Sequence, residues 1–118
     1  MPLLALEIHL KNSEMERFAF KMKLKPGCKD EYRKRHDQIW PELSCLIQST
    51  GVYDYSIFLD EQNNTLFAVQ KVSGEGSSQD LGSNPIVKKW WAYMADIMET
   101  NPDNSPVMVP LEEVFYLK

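Results

Sequence analysis

Histidine and cysteine are scarce in this chain: it has His9 and His36, and Cys28 and Cys45. Without a paired motif, two of each cannot build a zinc cluster or a disulfide framework. No metal is therefore expected, and both thiols are expected to be reduced, as in a cytoplasmic protein. Basic blocks are also missing. The formal net charge is -4 and the pI is near 5.1, so the chain lacks the basic stripe that binds nucleic acid, and that partner is excluded. No stretch approaches the ~20 apolar residues of a membrane-spanning helix. The apolar start, Met1 to Leu10, is interrupted by Glu7 and lacks both a basic n-region and a small-residue cleavage site, so it does not read as a signal peptide. Glycine-rich phosphate loops and nucleophile elbows are absent too. What remains is a soluble, cytoplasmic domain of 118 residues, long enough for one modest core.

The first clear pattern begins at Arg17. Phe18, Phe20, Met22 and Leu24 alternate with Arg17, Ala19, Lys21 and Lys23, as in a half-buried strand that Lys25-Pro26-Gly27 stops. From Cys28 to Gln38 the period becomes helical. Asp30–Lys34 and Glu31–Arg35 are acid-before-base pairs on an outer face, and Tyr32 and His36 lie on the opposite stripe. Pro41 opens a second helical piece, Pro41–Thr50, closed by Gly51. Tyr53–Asp60 alternates again, with Tyr53, Tyr55, Ile57 and Leu59 on one side. An Asn-rich turn leads to the return strand Thr65–Val72, and a Ser/Gly-rich loop spans 73–84. Asn84-Pro85 starts a helix expected to reach Met98, and a last strand is expected over Leu111–Leu117. The order β-α-β-β-α-β predicts an α+β fold, a ferredoxin-like antiparallel sheet with helices on one face. Phe58, Phe67, Val69, Val114 and Tyr116 should then lie on the helix-free face. A patch so apolar favours a homodimer in which two sheets pack face to face as a dimeric α+β barrel.

His36 is the only histidine inside this pattern, and imidazole both gives and takes protons near neutrality. Tyr32 sits one turn before it. The alternative is a histidine that merely packs near a helix end. Adjacent Trp90 and Trp91 point ~100° apart on a helix. They offer either core filling or flat faces on which the C–H edges of a sugar ring stack. Tyr55 faces the helices, where it either fills the core or offers its hydroxyl. With no cofactor motif, the chemistry these residues can supply is proton transfer in an aromatic pocket. That suits a reaction which already proceeds in water, such as the opening of a sugar hemiacetal.

Several stretches resemble one known family. Glu31-Tyr32-Arg33-Lys34-Arg35-His36-Asp37, Ile39-Trp40-Pro41-Glu42-Leu43, Lys89-Trp90-Trp91-Ala92-Tyr93-Met94 and Asn101-Pro102-Asp103-Asn104-Ser105-Pro106 are similar to motifs of the L-rhamnose mutarotases, in register from about Glu16 to the C-terminus. The resemblance implies a dimeric α+β fold and interconversion of the α and β anomers of L-rhamnose without a cofactor. It implies His36 as the catalytic residue and Tyr32, Tyr55, Trp90 and Trp91 as the substrate-binding residues. In the expected mechanism, protonated His36 gives a proton to the ring oxygen while a base such as water takes the anomeric hydroxyl proton. The ring opens, the C1 end rotates and the ring recloses. Residues 1–14 precede the matching region and are expected to be a peripheral extension to a domain over 15–118. Two other functions fit a fold of this kind: a haem- or small-molecule-binding protein related to monooxygenases, with His36 on iron, and a non-catalytic sugar-binding dimer.

Overall fold

The computed structural model describes residues 16–73 and 76–118. Its elements are β1 (Glu16–Lys23), α1 (Lys29–Asp37), α2 (Pro41–Ser49), β2 (Val52–Asp60), β3 (Thr65–Val72), a short 3-10 turn (Ser78–Asp80), α3 (Pro85–Met94) and β4 (Met108–Leu111). The four strands form one antiparallel sheet in the order β2-β3-β1-β4. This is the strand order of the split β-α-β arrangement the sequence predicts.

Alternation along the strands decides which side each face serves. Phe20 and Met22 of β1 and Leu66 and Ala68 of β3 point to the helices and are buried. There they meet Leu24, Tyr32, Leu43, Val87, Trp90 and Met94 in one apolar cluster. The other face carries Phe58, Phe67, Val69, Val109 and Leu111, all exposed, and Phe58 keeps 65% of its surface. The expected helix-free face is there. Among the described residues no helix is long and apolar enough to cross a membrane.

Four local expectations need correction. Tyr53 does not share a side with Tyr55. A bulge between Tyr53 and Ser56 inserts one residue, and Asp54, at a φ of 48°, absorbs the left-handed backbone. Val52, Tyr55, Ile57 and Leu59 therefore point inward while Tyr53 is exposed. Secondly, α3 ends at Met94 rather than Met98. Met98 leaves the helix to bridge Leu24, and Ile97 accepts a backbone hydrogen bond from Lys25. Thirdly, the last strand is Met108–Leu111, not Leu111–Leu117. It tolerates Pro110 because it lies at the sheet edge. Fourthly, Val114 stands 88% exposed beyond that strand. Tyr116 nevertheless reaches the bare face, its ring 3.7 Å from the Arg17 guanidinium, which Glu113 also binds through two hydrogen bonds. The expected extension, residues 1–14, lies outside the described residues.

Candidate active site

The helices are placed by ordinary local chemistry. The Asn84 side chain accepts the Ile86 N–H, and Pro85 presets the first turn of α3. Gly51, at a φ of 94°, turns the chain from α2 into β2. One residue then ties α1 to α3. Arg35 donates to Glu31, to both carboxylate oxygens of Asp96 and to the carbonyl of Tyr93, and its guanidinium lies over the Tyr93 ring at 4.3 Å. Shared and bidentate contacts of this kind hold geometry better than isolated surface pairs.

This clamp brings the stripe Tyr32–His36 against Trp90. The His36 imidazole stacks on the Tyr32 ring at 4.2 Å, and Trp90 meets it edge-on at 5.4 Å. Trp40 packs edge-on against Trp90 and stacks on Tyr93. The inner end of the site is thus an aromatic ladder with little freedom to rearrange.

All five residues singled out in the sequence, Tyr32, His36, Tyr55, Trp90 and Trp91, line one cavity of about 820 Å3 between the helices and the sheet. His36 Nδ1 lies 3.0 Å from the backbone carbonyl of Tyr32. A carbonyl only accepts, so Nδ1 carries the proton and Nε2 is the nitrogen left for chemistry. Burial lowers the His36 pKa from the ordinary histidine value; the hydrogen bond to Tyr32 and the charge of Asp37 offset this only in part. At neutral pH the imidazole is therefore mainly uncharged, with a lone pair on Nε2. Burial also raises both tyrosines, and for Tyr32 the neighbouring Tyr55 adds to the rise. Both phenols stay protonated and act as hydrogen-bond groups rather than as bases. Among the described residues no group of His, Cys, Asp and Glu could hold a metal ion.

Sequence reasoning missed four supporting residues. Trp40 and Tyr93 pack against Trp90. The others come from β3 and the loop after it. A Cβ on Gly82 would lie 2.7 Å from two ring carbons of Trp91, so only glycine lets that indole pack where it does. Gln70, fully buried on β3, holds Ser78 by two hydrogen bonds of 2.9 Å. Gln70 was legible in principle, as one polar residue on the inward stripe Leu66-Ala68-Gln70-Val72. Gly82 had no comparable signal.

A family model described as L-rhamnose mutarotase matches residues 17–117. The chain is 67% identical to an L-rhamnose mutarotase of Formosa agariphila over 104 residues, which are 88% of this chain and all of that protein. It is 65% identical to an L-rhamnose mutarotase of Phocaeicola vulgatus, over 87% of this chain and 99% of that protein. A crystal structure of the Formosa agariphila L-rhamnose mutarotase has a TM-score of 0.82 at 64% identity, over 87% of this chain and 99% of that one. The aromatic cavity around His36 is thus carried by a chain that belongs to the L-rhamnose mutarotase family.

Proposed function

We propose that this protein interconverts the α and β anomers of L-rhamnose, with His36 as its acid–base residue and Tyr32, Tyr55, Trp90 and Trp91 holding the sugar. One observation carries the mechanism: Nδ1 of the half-buried His36 imidazole is tied to a carbonyl, which leaves Nε2 free for chemistry, while the ring lines a cavity walled by phenols and indoles. That state reverses the order of proton transfer expected from the sequence. Nε2 of neutral His36 first takes the anomeric hydroxyl proton as the C1–ring-oxygen bond breaks and the C1 carbonyl forms. The imidazolium then gives that proton to the ring oxygen, leaving the open-chain aldehyde and neutral His36. Rotation about C1–C2 presents the other carbonyl face, and the same steps in reverse close the ring to the second anomer. No proton or electron is gained or lost over the cycle. Acid–base catalysis of typically ~10²–10⁴-fold suits a reaction that water alone supports. The family match lends nothing to the haem-pocket or non-catalytic readings.

The assembly is a homodimer through the bare sheet face, where Phe58, Phe67 and Val69 share one side with Val109 and Leu111 of β4, across Ala19 and Lys21 of β1. Facing two copies about a two-fold axis hides both patches at once. The domain proper begins at Met15, and the free thiols of Cys28 and Cys45 suit the cytoplasm. Saturation-transfer NMR of anomeric exchange in L-rhamnose, with and without protein, tests the activity. Faster exchange is expected with protein, and an unchanged rate at micromolar enzyme would sink the reading.

A further inference from the structure

Gln70 sits where an apolar residue would be expected. Its neighbours on the inward stripe of β3 are Ala68 and Val72, both buried, and its own side chain is fully enclosed. An amide in such a place is costly unless every polar atom is used. Its oxygen accepts the backbone N–H of Ser78, and its nitrogen donates to the Ser78 hydroxyl. The turn that carries Ser78 is itself locked. Ser77 Oγ accepts the Gln79 N–H, and the Asp80 carboxylate accepts the Ser77 N–H, a capping box on a turn of three residues. The bulge in β2 lies opposite this point. Lys71 pairs with Tyr53 and Val69 with Ser56, so Asp54 and Tyr55 together face Gln70. The extra residue swings Tyr55 onto the helix side, where its ring and Ser78 line the same cavity.

The hydrogen-bond inventory gives this cluster a direction. Ser78 Oγ accepts from the amide nitrogens of both Gln70 and Gln79, at 2.9 and 3.3 Å. A hydroxyl has two acceptor sites and one proton. With both acceptor sites taken, the Ser78 hydroxyl keeps its proton to donate, and the Tyr55 phenol lines the same cavity wall, opposite Gln70 in the sheet. Burial raises the Tyr55 pKa, and hydrogen bonding by Ser78 and Gln70 offsets this only in part. A phenol that accepts from Ser78 keeps its own proton for the cavity.

We propose that Gln70 and Ser78 are positioning residues that fix the Tyr55 hydroxyl as a hydrogen-bond donor to the sugar oxygen on which charge develops during ring opening. The proposal rests on the mutarotase reading. It gives that mechanism a second partner: His36 moves the proton, and Tyr55 steadies the ring oxygen until the proton arrives. Preorganised donors of this kind act mainly on the transition state.

The test is a double-mutant cycle with Ser78→Ala and Tyr55→Phe, read by anomeric exchange and by the 13Cζ resonance of Tyr55 in tyrosine-labelled protein. Ser78→Ala should lower kcat roughly 3- to 10-fold, the worth of one hydrogen bond, with KM little changed. In the Tyr55→Phe background the same change should cost nothing further. Ser78→Thr, which keeps the hydroxyl, should restore both the rate and the resonance position. An equal loss in both backgrounds, or no loss in a folded Ser78→Ala protein, overturns the proposal. So does a Tyr55 resonance that does not move. A wild type without catalysed exchange would remove the mutarotase reading instead, and the resonance would still decide whether Ser78 bonds the phenol.

Discussion

The two faces of the sheet are built from the same alternating strands, yet they are finished in opposite ways. On the covered face nearly every side chain is enclosed, and the few polar groups, such as Gln70 and Ser78, have named partners. On the bare face Phe58, Phe67 and Val69 are exposed, with Lys21 beside Phe67 and with Lys71 beyond Val69, paired with Tyr53. One face therefore holds the aromatic cavity, and the other is left uncovered. Changes on the first should alter exchange and leave assembly alone. Changes on the second should do the reverse.

The largest expected effect is on the covered face. His36→Ala should lower catalysed exchange by ~10²-fold or more, with an unchanged molecular mass in sedimentation, because among the described residues His36 is the one imidazole lining the cavity. Near-wild-type exchange in a folded His36→Ala protein would take His36 out of the mechanism. The mirror test is Val69→Asp on the bare face. Val69 pairs with Ala19 and Ser56, small residues that leave its side chain exposed on the bare face. A carboxylate there would be buried near the two-fold axis, so the protein should sediment as a monomer at micromolar concentration. A wild-type protein that is already a stable monomer would break the comparison itself.

Gly82→Ala sharpens the comparison within the covered face. The added methyl must push the Trp91 indole aside, which should weaken rhamnose binding roughly 10-fold in a calorimetric titration, about one stacking contact's worth, while the fold persists. Unaltered affinity would mean that Trp91 does not touch the sugar. A smaller effect is the pH dependence. The competent base is neutral His36, and burial disfavours its charged form, so kcat/KM for catalysed exchange should stay level through neutrality. It should then fall on acidification, with a midpoint below the ordinary histidine value of 6.5. A midpoint above 6.5 would contradict a desolvated imidazole. The smallest expected change is none: a chain starting at Met15 should fold, pair and catalyse like the full chain, and an insoluble product would show that the extension belongs to the structure.

The sheet and the inner site were legible because each rests on a strong periodic signal. Period two in β1 and β3 placed both faces, and the four-residue step from Tyr32 to His36 put them on one side of a helix. Elsewhere the chain carries the wrong signal or none. Ile97 and Met98 continue the apolar period of α3, yet they serve a bridge to Leu24. Val114 to Leu117 read as a strand, although pairing stops at Leu111. The bulge at Asp54 reverses Tyr53 through a backbone angle that aspartate tolerates but does not announce. Gly82 is defined by a neighbour nine residues away, Trp91, a relation that local propensity does not record.

The bulge and Pro110 share one further consequence. β2 and β4 are the outer strands of the sheet, and an outer strand with a regular backbone is a template on which other chains can grow end to end. Asp54 breaks the regular spacing along one rim, and Pro110 has no N–H to offer along the other. Both rims are thereby poor starting points for fibrils, and they leave the bare face as the place where the proposed two-fold contact would close and add no third member.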